Sequence, residues 1–204
     1  MLLPAVIIDD FLGADAAGDL LAFALAHEAD FVPSEVGSEG DQVVKPETRN
    51  SLSFEGDLGE VIAPFAAAVA REAAKLKAAT GCGDFGPDLT DLELVAHCDG
   101  HRFRRHVDTA TGASRMLGPA DRVLSLVYYL HAKPKVFSGG DLVMHALVGE
   151  ERRVIAPRHD RLVAFPSIAP HQVAPISLPG NRFADARFSL VCWLGRERAG
   201  APAA

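Results

Sequence analysis

The chain is short of cysteine: Cys82, Cys98 and Cys192 are the three in 204 residues, and no two form a CxxC pair. An odd number at scattered positions fits reduced thiols in a cytoplasm, and all three read as structural, small buried hydrophobes. Positive charge is also in deficit. With a net charge of −7 and a pI near 5.6, there is no basic surface to hold phosphates, which argues against nucleic acid and anionic membranes as partners. No apolar run reaches the length of a bilayer span, and the opening MLLPAVIIDDFL lacks a basic n-region and is broken by Pro4 and Asp9-Asp10. Neither a signal peptide nor a membrane helix is expected, and the expected location is cytoplasmic. Internal repeats, low-complexity tracts and linkers are missing too, which suits one domain over residues 1–204; the sequence is silent on oligomeric state.

What is present is apolar. Hydrophobic residues make up 49% of the chain, enough to bury a full core. Residues 1–91 read as a helical support region. Val6–Ile8 is a short buried strand, and Leu20, Leu21, Ala24, Leu25 and His27 follow helical spacing after Asp15, a candidate cap. Pro33–Pro46 is a Gly-, Glu- and Ser-containing surface loop, and Arg49–Phe54 returns as an edge strand. From Asp57 to Ala79 the positions Ile62, Phe65, Val69, Ala73 and Leu76 repeat at three and four, giving a long helix with Pro64 near its start and Thr80-Gly81 at its end.

After Gly81 the texture changes to short strand-like runs separated by Gly, Pro and Asp. These are Leu92–Cys98, Phe103–Val107, Val123–Leu130, Asp141–His145, Arg153–Ile155, Arg161–Phe165, His171–Ile176 and Arg187–Leu194. With no helix between them they predict a two-sheet jelly roll over 92–195. The fold class is therefore mainly β with N-terminal helices (α+β), a double-stranded β-helix or cupin-like barrel. Arg198–Ala204 reads as a frayed tail.

Within that frame His106-Val107-Asp108 stands out, because residues two apart on an extended strand share a face and can reach one ion together. His171, in PSIAPHQVAP after the run Arg161–Phe165, supplies a third donor. Two His and one carboxylate with the remaining positions open is the arrangement of a non-haem Fe(II) oxygenase. Downstream, strand alternation in RFSLVCW puts Arg187, Ser189, Val191 and Trp193 on one face. An arginine pointing into a barrel needs an anion, and Ser189 can add a donor to a carboxylate held by the guanidinium. Tyr129 shares its face with Val123, Ser125 and Val127, while Tyr128 points the other way. His131, His145 and His159 read as solvated, and His101, Arg102, Arg104 and Arg105 as a solvated face at the barrel mouth.

From about Leu92 to Leu194 the ordered series HCDGHRFRRHVD, VYYL, FSGGDL, APRHDRLVAFPSIAPHQVAPI and RFSLVCW resembles the Fe(II)- and 2-oxoglutarate-dependent dioxygenases, in the prolyl-hydroxylase branch. The RHVD, YYL, SGG and APHQVAP segments look especially like the oxygen-sensing prolyl hydroxylases of animals. The resemblance implies a metal triad of His106, Asp108 and His171, and a 2-oxoglutarate clamp at Arg187. It also implies cosubstrate contacts from Tyr129, Leu142 and Ser189. The implied cofactors are Fe(II), 2-oxoglutarate and O2, with ascorbate as a reductant. The implied reaction couples oxidative decarboxylation of 2-oxoglutarate to hydroxylation of a peptidyl or small-molecule substrate.

Two departures from the family pattern stand out. Where many relatives have Tyr-X-X-Gly this chain has His97-Cys-Asp-Gly100, so His97 is expected to replace a phenol as donor to the cosubstrate, with a rival metal ligand as the alternative. The stretch before Arg187 is longer than in the relatives it most resembles and offers Arg182 as a competing clamp; Arg187 is preferred because the SLVCW strand follows it. Three readings stay open: a hydroxylase, a jelly-roll metalloenzyme of another class such as an isomerase or a 2-oxoglutarate-independent dioxygenase, and a non-catalytic binding module. Specificity is expected from the loops Pro33–Pro46 and Thr109–Ala120.

Overall fold

The structure is a computed structural model that describes residues 1–37, 42–85, 89–110 and 120–197. Its strands, in chain order, are β1 (Val6–Ile8), β2 (Phe31–Pro33), β3 (Glu35–Val36), β4 (Val43–Val44), β5 (Arg49–Asn50), β6 (Leu52–Phe54), β7 (Leu89–His97) and β8 (Arg102–His106). There follow β9 (Ala120–Leu130), β10 (Ser138–Gly139), β11 (Leu142–His145), β12 (Arg152–Ile155), β13 (Arg161–Pro166), β14 (His171–Val173), β15 (Ile176–Ser177) and β16 (Arg187–Glu197). Helices α1 (Ala14–Ala26) and α2 (Ala63–Thr80) precede β7. A seven-stranded sheet, ordered β1-β13-β9-β16-β7-β6-β2, and a five-stranded sheet, β12-β11-β14-β8-β5, form the expected jelly roll as two open antiparallel sheets. Among the described residues no helix is long and apolar enough to cross a membrane.

Strand alternation gives the large sheet two apolar faces. Leu124, Leu126, Tyr128 and Leu130 of β9, with Phe188, Leu190 and Cys192 of β16, pack against Ala17, Leu20 and Ala24 of α1 and Phe65, Val69 and Leu76 of α2. The opposite face presents Val127, Tyr129, Val163 and Phe165 to Leu142, Met144 and Ile155 of the small sheet. The space between the sheets is where a site can form. Cys98 and Cys192 are buried and Cys82 half-buried, and burial pushes the Cys192 thiol up to about 12, consistent with structural roles.

Several boundaries differ from the sequence reading. Arg49–Phe54 is not one edge strand: β5 pairs with β8 in the small sheet and β6 with β7 in the large one, so the chain changes sheets at Ser51. His171–Ile176 likewise divides into β14 and β15. Helix α2 begins at Ala63 after a 3₁₀ turn at Gly59–Ile62, because Pro64 suits a first-turn position where its missing N–H is not needed. Asp15 does not cap α1. The cap is Gly13 with φ 86°, and the orphan N–H groups of Leu12 and Gly13 donate to the carboxylate of Asp160, far along the chain. The Tyr128 hydroxyl also donates to Asp160, at 2.7 Å, and both side chains are buried. Tyr128→Phe should therefore destabilise the fold by about 1.5–3 kcal/mol, the range for a hydrogen bond to a charged group, read as a lower urea midpoint at unchanged m-value.

His131 is not solvated, and His159 is half-buried beside it. His131 is 7% exposed; its Nε2 accepts from the His159 N–H at 3.0 Å, and its Nδ1 faces the Ala132 carbonyl at 2.8 Å. An Nε2 that accepts must be unprotonated, so the fold selects neutral His131, and burial lowers its pKa below the ordinary 6.5. The sign follows: stability is full above 6.5 and is lost as pH falls toward the lower folded value, because the unfolded chain takes up the proton first. His131→Gln is expected to flatten the fall of the unfolding midpoint between pH 7 and 5, by up to about 1.4 kcal/mol per pH unit for the one proton. The tail 198–204 and residues 111–119 of the Thr109–Ala120 loop lie outside the described residues, as do residues 38–41 of Pro33–Pro46.

Candidate active site

Three donors meet at one end of the inter-sheet space. His106 closes β8, Asp108 lies just past it, and His171 opens β14, where it pairs with His106 across the two strands. Their ligand atoms all lie within 4.8 Å of one another. His106 Nε2 is 3.4 Å and His171 Nε2 3.7 Å from Asp108 Oδ1. Each imidazole turns its Nδ1 to a backbone carbonyl two residues earlier, Arg104 at 2.8 Å and Ala169 at 2.9 Å, which leaves both Nε2 lone pairs facing the carboxylate. Burial lowers the His171 pKa and so favours the neutral ring that a metal requires.

The aspartate is oriented from behind. Ser125 Oγ donates to Asp108 Oδ2 at 2.6 Å, Ser167 Oγ lies 2.8 Å from Ser125 Oγ, and the Asp108 N–H donates to the Ser167 carbonyl at 2.9 Å. Burial works against the Asp108 charge, but the His171 and His106 rings and the Ser125 hydroxyl outweigh it and hold the carboxyl well below its usual range. Sequence reasoning placed Ser125 on the correct face of β9 without giving it a role, and it missed Ser167. A hydroxyl facing inward in an otherwise apolar alternation was the available signal.

A second cluster lies deeper in the same cavity. Cross-strand register sets Arg187 beside His97 and Ser189 beside Tyr129. Arg187 is 1% exposed, with no carboxylate in ion-pair contact among the described residues; it donates to Gly140 O at 3.0 Å, His97 Nδ1 at 3.0 Å and Ser189 Oγ at 3.2 Å. The glycine turn before β11 is needed for this. Gly140 has φ +69°, and a Cβ there would lie 2.7 Å from Ile176 Cγ1 and 3.3 Å from Arg187 Cδ. An arginine only donates, so His97 accepts at Nδ1 and carries its proton on Nε2. That Nε2, the Tyr129 hydroxyl and Arg187 Nε are buried without partners among the described residues. Burial pushes the Tyr129 phenol up to about 12 and the His97 pKa well down, so one keeps its proton and the other stays neutral. Three unsatisfied buried donors suit an acceptor-only ligand such as a carboxylate.

His97, Tyr129, Leu142, Arg187 and Ser189 therefore line one cavity with His106, Asp108 and His171. Leu142, 1% exposed, forms part of its apolar wall. Arg182 does not reach it: this residue pairs with Asp185 at the surface, its side chain 72% exposed. His97 accepts from Arg187 through Nδ1 and is not one of the three residues of the His106/Asp108/His171 cluster. His101 accepts from the Cys98 N–H, and Arg104 and Arg105 are exposed as expected. A wider groove past Leu3, Cys82, Thr109, Arg122 and Ile168 contains none of the cluster residues.

Residues 92–195 match the sequence model of the 2OG-Fe(II) oxygenase superfamily. The chain belongs to that superfamily. Membership implies Fe(II), 2-oxoglutarate and O2, and the donor sets above fit the first two: a His/Asp/His face for the metal, and orphaned donors around Arg187 for a carboxylate. The chain is 29% identical over 115 residues to an uncharacterized PKHD-type hydroxylase of Synechocystis, which covers 52% of this chain but only 36% of that relative's length. Two solved structures share the fold. A prolyl hydroxylase from Trichoplax adhaerens, in complex with a peptide of the hypoxia inducible factor oxygen degradation domain, superposes with a TM-score of 0.71 at 20% identity, over 94% of this chain and 83% of that one. A Pseudomonas putida prolyl-4-hydroxylase does so with a TM-score of 0.68 at 23% identity, over 96% and 94%.

Proposed function

We propose that this chain is a 2-oxoglutarate-dependent hydroxylase acting on a prolyl residue, an amino acid or another small molecule. The observation that carries the reading is that the His/Asp/His cluster and the three orphaned donors open into a single cavity. In this reading His106, Asp108 and His171 hold the iron, with Ser125 fixing which carboxylate oxygen faces it. Arg187 takes the far carboxylate of 2-oxoglutarate, Tyr129 and His97 donate their unpaired protons to the cosubstrate, and Ser189 keeps the guanidinium in place. Leu142, Val127 and Val191 exclude water from the same space. When bound, iron with 2-oxoglutarate and O2 supplies the oxidising power for C–H hydroxylation and releases succinate and carbon dioxide. The protein's share is positioning, and no side chain need act as acid or base.

The prolyl alternative draws support from the fold shared with prolyl hydroxylases. Residues 1–91 and 92–195 are taken as one catalytic domain with its support, located in the cytoplasm, with ascorbate keeping the iron ferrous. The test is succinate formation by purified protein with Fe(II), ascorbate, O2 and 2-oxoglutarate, with and without a panel of prolyl peptides and amino acids. Succinate that one panel member stimulates supports the reading and points to the substrate. No succinate under any condition, with no binding of 2-oxoglutarate, overturns it.

A further inference from the structure

Of the two histidines, His106 is the less restrained. Its side chain is 20% exposed against 6% for His171, whose ring is braced edge-on by the fully buried Phe165 at 4.8 Å. The His106 ring stacks on Phe103, with ring centroids 3.6 Å apart and planes within 16°. That contact is not available to a regular strand. Residues three apart point to opposite faces, and Phe103 and His106 share one because β8 carries a bulge: three steps of β8 from Phe103 to His106 match two of β14 from Val173 to His171. Phe103 belongs to none of the buried apolar clusters, so core filling does not account for it.

Phe103 has a second partner over its ring. Arg49, its register partner on β5, places its guanidinium carbon 5.3 Å from the ring centroid. That guanidinium is fixed from several directions: Nη2 donates to Glu93 Oε1 at 2.7 Å, Nε to Ser51 Oγ at 3.1 Å and Nη1 to the Glu35 carbonyl at 3.2 Å. Ser53 Oγ donates to the same Glu93 oxygen at 2.6 Å. Glu93 stands on β7 of the large sheet, so the series Glu93–Arg49–Phe103–His106 spans the gap between the sheets. Glu93 also neutralises Arg49, so the guanidinium brings no uncompensated positive charge close to a site meant for a cation.

We propose that Phe103 and Arg49 are positioning residues for the metal site, holding the His106 imidazole plane at the angle that aims Nε2 at the ion. This rests on the reading of His106 as an iron ligand. The bulge in β8 delivers Phe103 to the ring, and the Arg49–Glu93 ion pair clamps it there. Neither residue belongs to the cluster of metal donors.

The test uses Mn(II) alone, titrated calorimetrically into metal-free protein. Phe103→Leu should raise the Mn(II) dissociation constant about tenfold, the lower end for groups that support a metal ligand. Phe103→Tyr, which keeps the flat ring, should restore it, and Arg49→Met should give a smaller rise. In the metal-free protein the ring resonances of His106 should shift in Phe103→Leu and broaden in Arg49→Met, a readout that a general loss of stability does not produce. If Phe103→Leu does not fold, Arg49→Met carries the same test. Wild-type protein that binds no Mn(II) overturns the ligand reading and this inference together. Wild-type binding, with both variants within ~2-fold of it and the His106 resonances unmoved, overturns the positioning role alone.

Discussion

Arg187→Met is expected to raise the unfolding midpoint of the cofactor-free protein and to abolish the response of the Mn(II)-loaded protein to 2-oxoglutarate. The two effects have one cause. Arg187 is fully buried, meets no carboxylate among the described residues, and leaves Nε unpaired, so burial depresses its pKa and the charge stands against the folded state. An apolar side chain of similar length removes that penalty. The gain should fall at the low end of about 1–4 kcal/mol, because Gly140 O, Ser189 and His97 lose their donor. Binding moves the other way. Losing a buried charge-assisted pair costs about 2–5 kcal/mol, a factor of roughly thirty or more in the 2-oxoglutarate dissociation constant. Thermal unfolding of both proteins, metal-free for the midpoint and Mn(II)-loaded with and without 2-oxoglutarate for the binding, reads both signs. A variant that melts lower and still binds would show that Arg187 is a structural arginine.

The second large effect is at Asp108. Asp108→Ala removes the one anionic donor of the cluster and leaves two imidazoles, so metal binding and succinate formation should fall below detection. Ser125→Ala separates orientation from ligation. It keeps all three ligands but frees the Asp108 carboxylate to rotate, and should weaken metal binding about tenfold. Equal losses in the two variants would mean that Ser125 holds the loop rather than the carboxylate.

What was legible in the sequence was whatever a regular strand dictates. The inward face Arg187, Ser189, Val191 and Trp193 and the opposed directions of Tyr128 and Tyr129 follow from a two-residue period, and β16 and β9 are long and regular where these residues sit; the preference for Arg187 over Arg182 rests on the strand that follows Arg187. What was hidden lies where that period breaks. The bulge in β8 brings Phe103 and His106 to one face, and the change of sheet at Ser51 brings Arg49 to Glu93. Both read as ordinary strand in the sequence. Asp160 and His131 escaped for another reason. They satisfy backbone groups contributed by distant segments, and a polar residue beside a turn looks solvated until the partner that buries it is known.

The central claim is that the His/Asp cluster and the Arg187 cluster form one site for a metal and 2-oxoglutarate together. Calorimetric titration of 2-oxoglutarate into wild-type protein, with and without Mn(II), and into Asp108→Ala, tests it most directly. Saturable binding is expected from the Mn(II)-loaded wild type, and little or none from the metal-free protein or the variant. Binding that ignores both the metal and Asp108, or no binding to the loaded wild type, would contradict it.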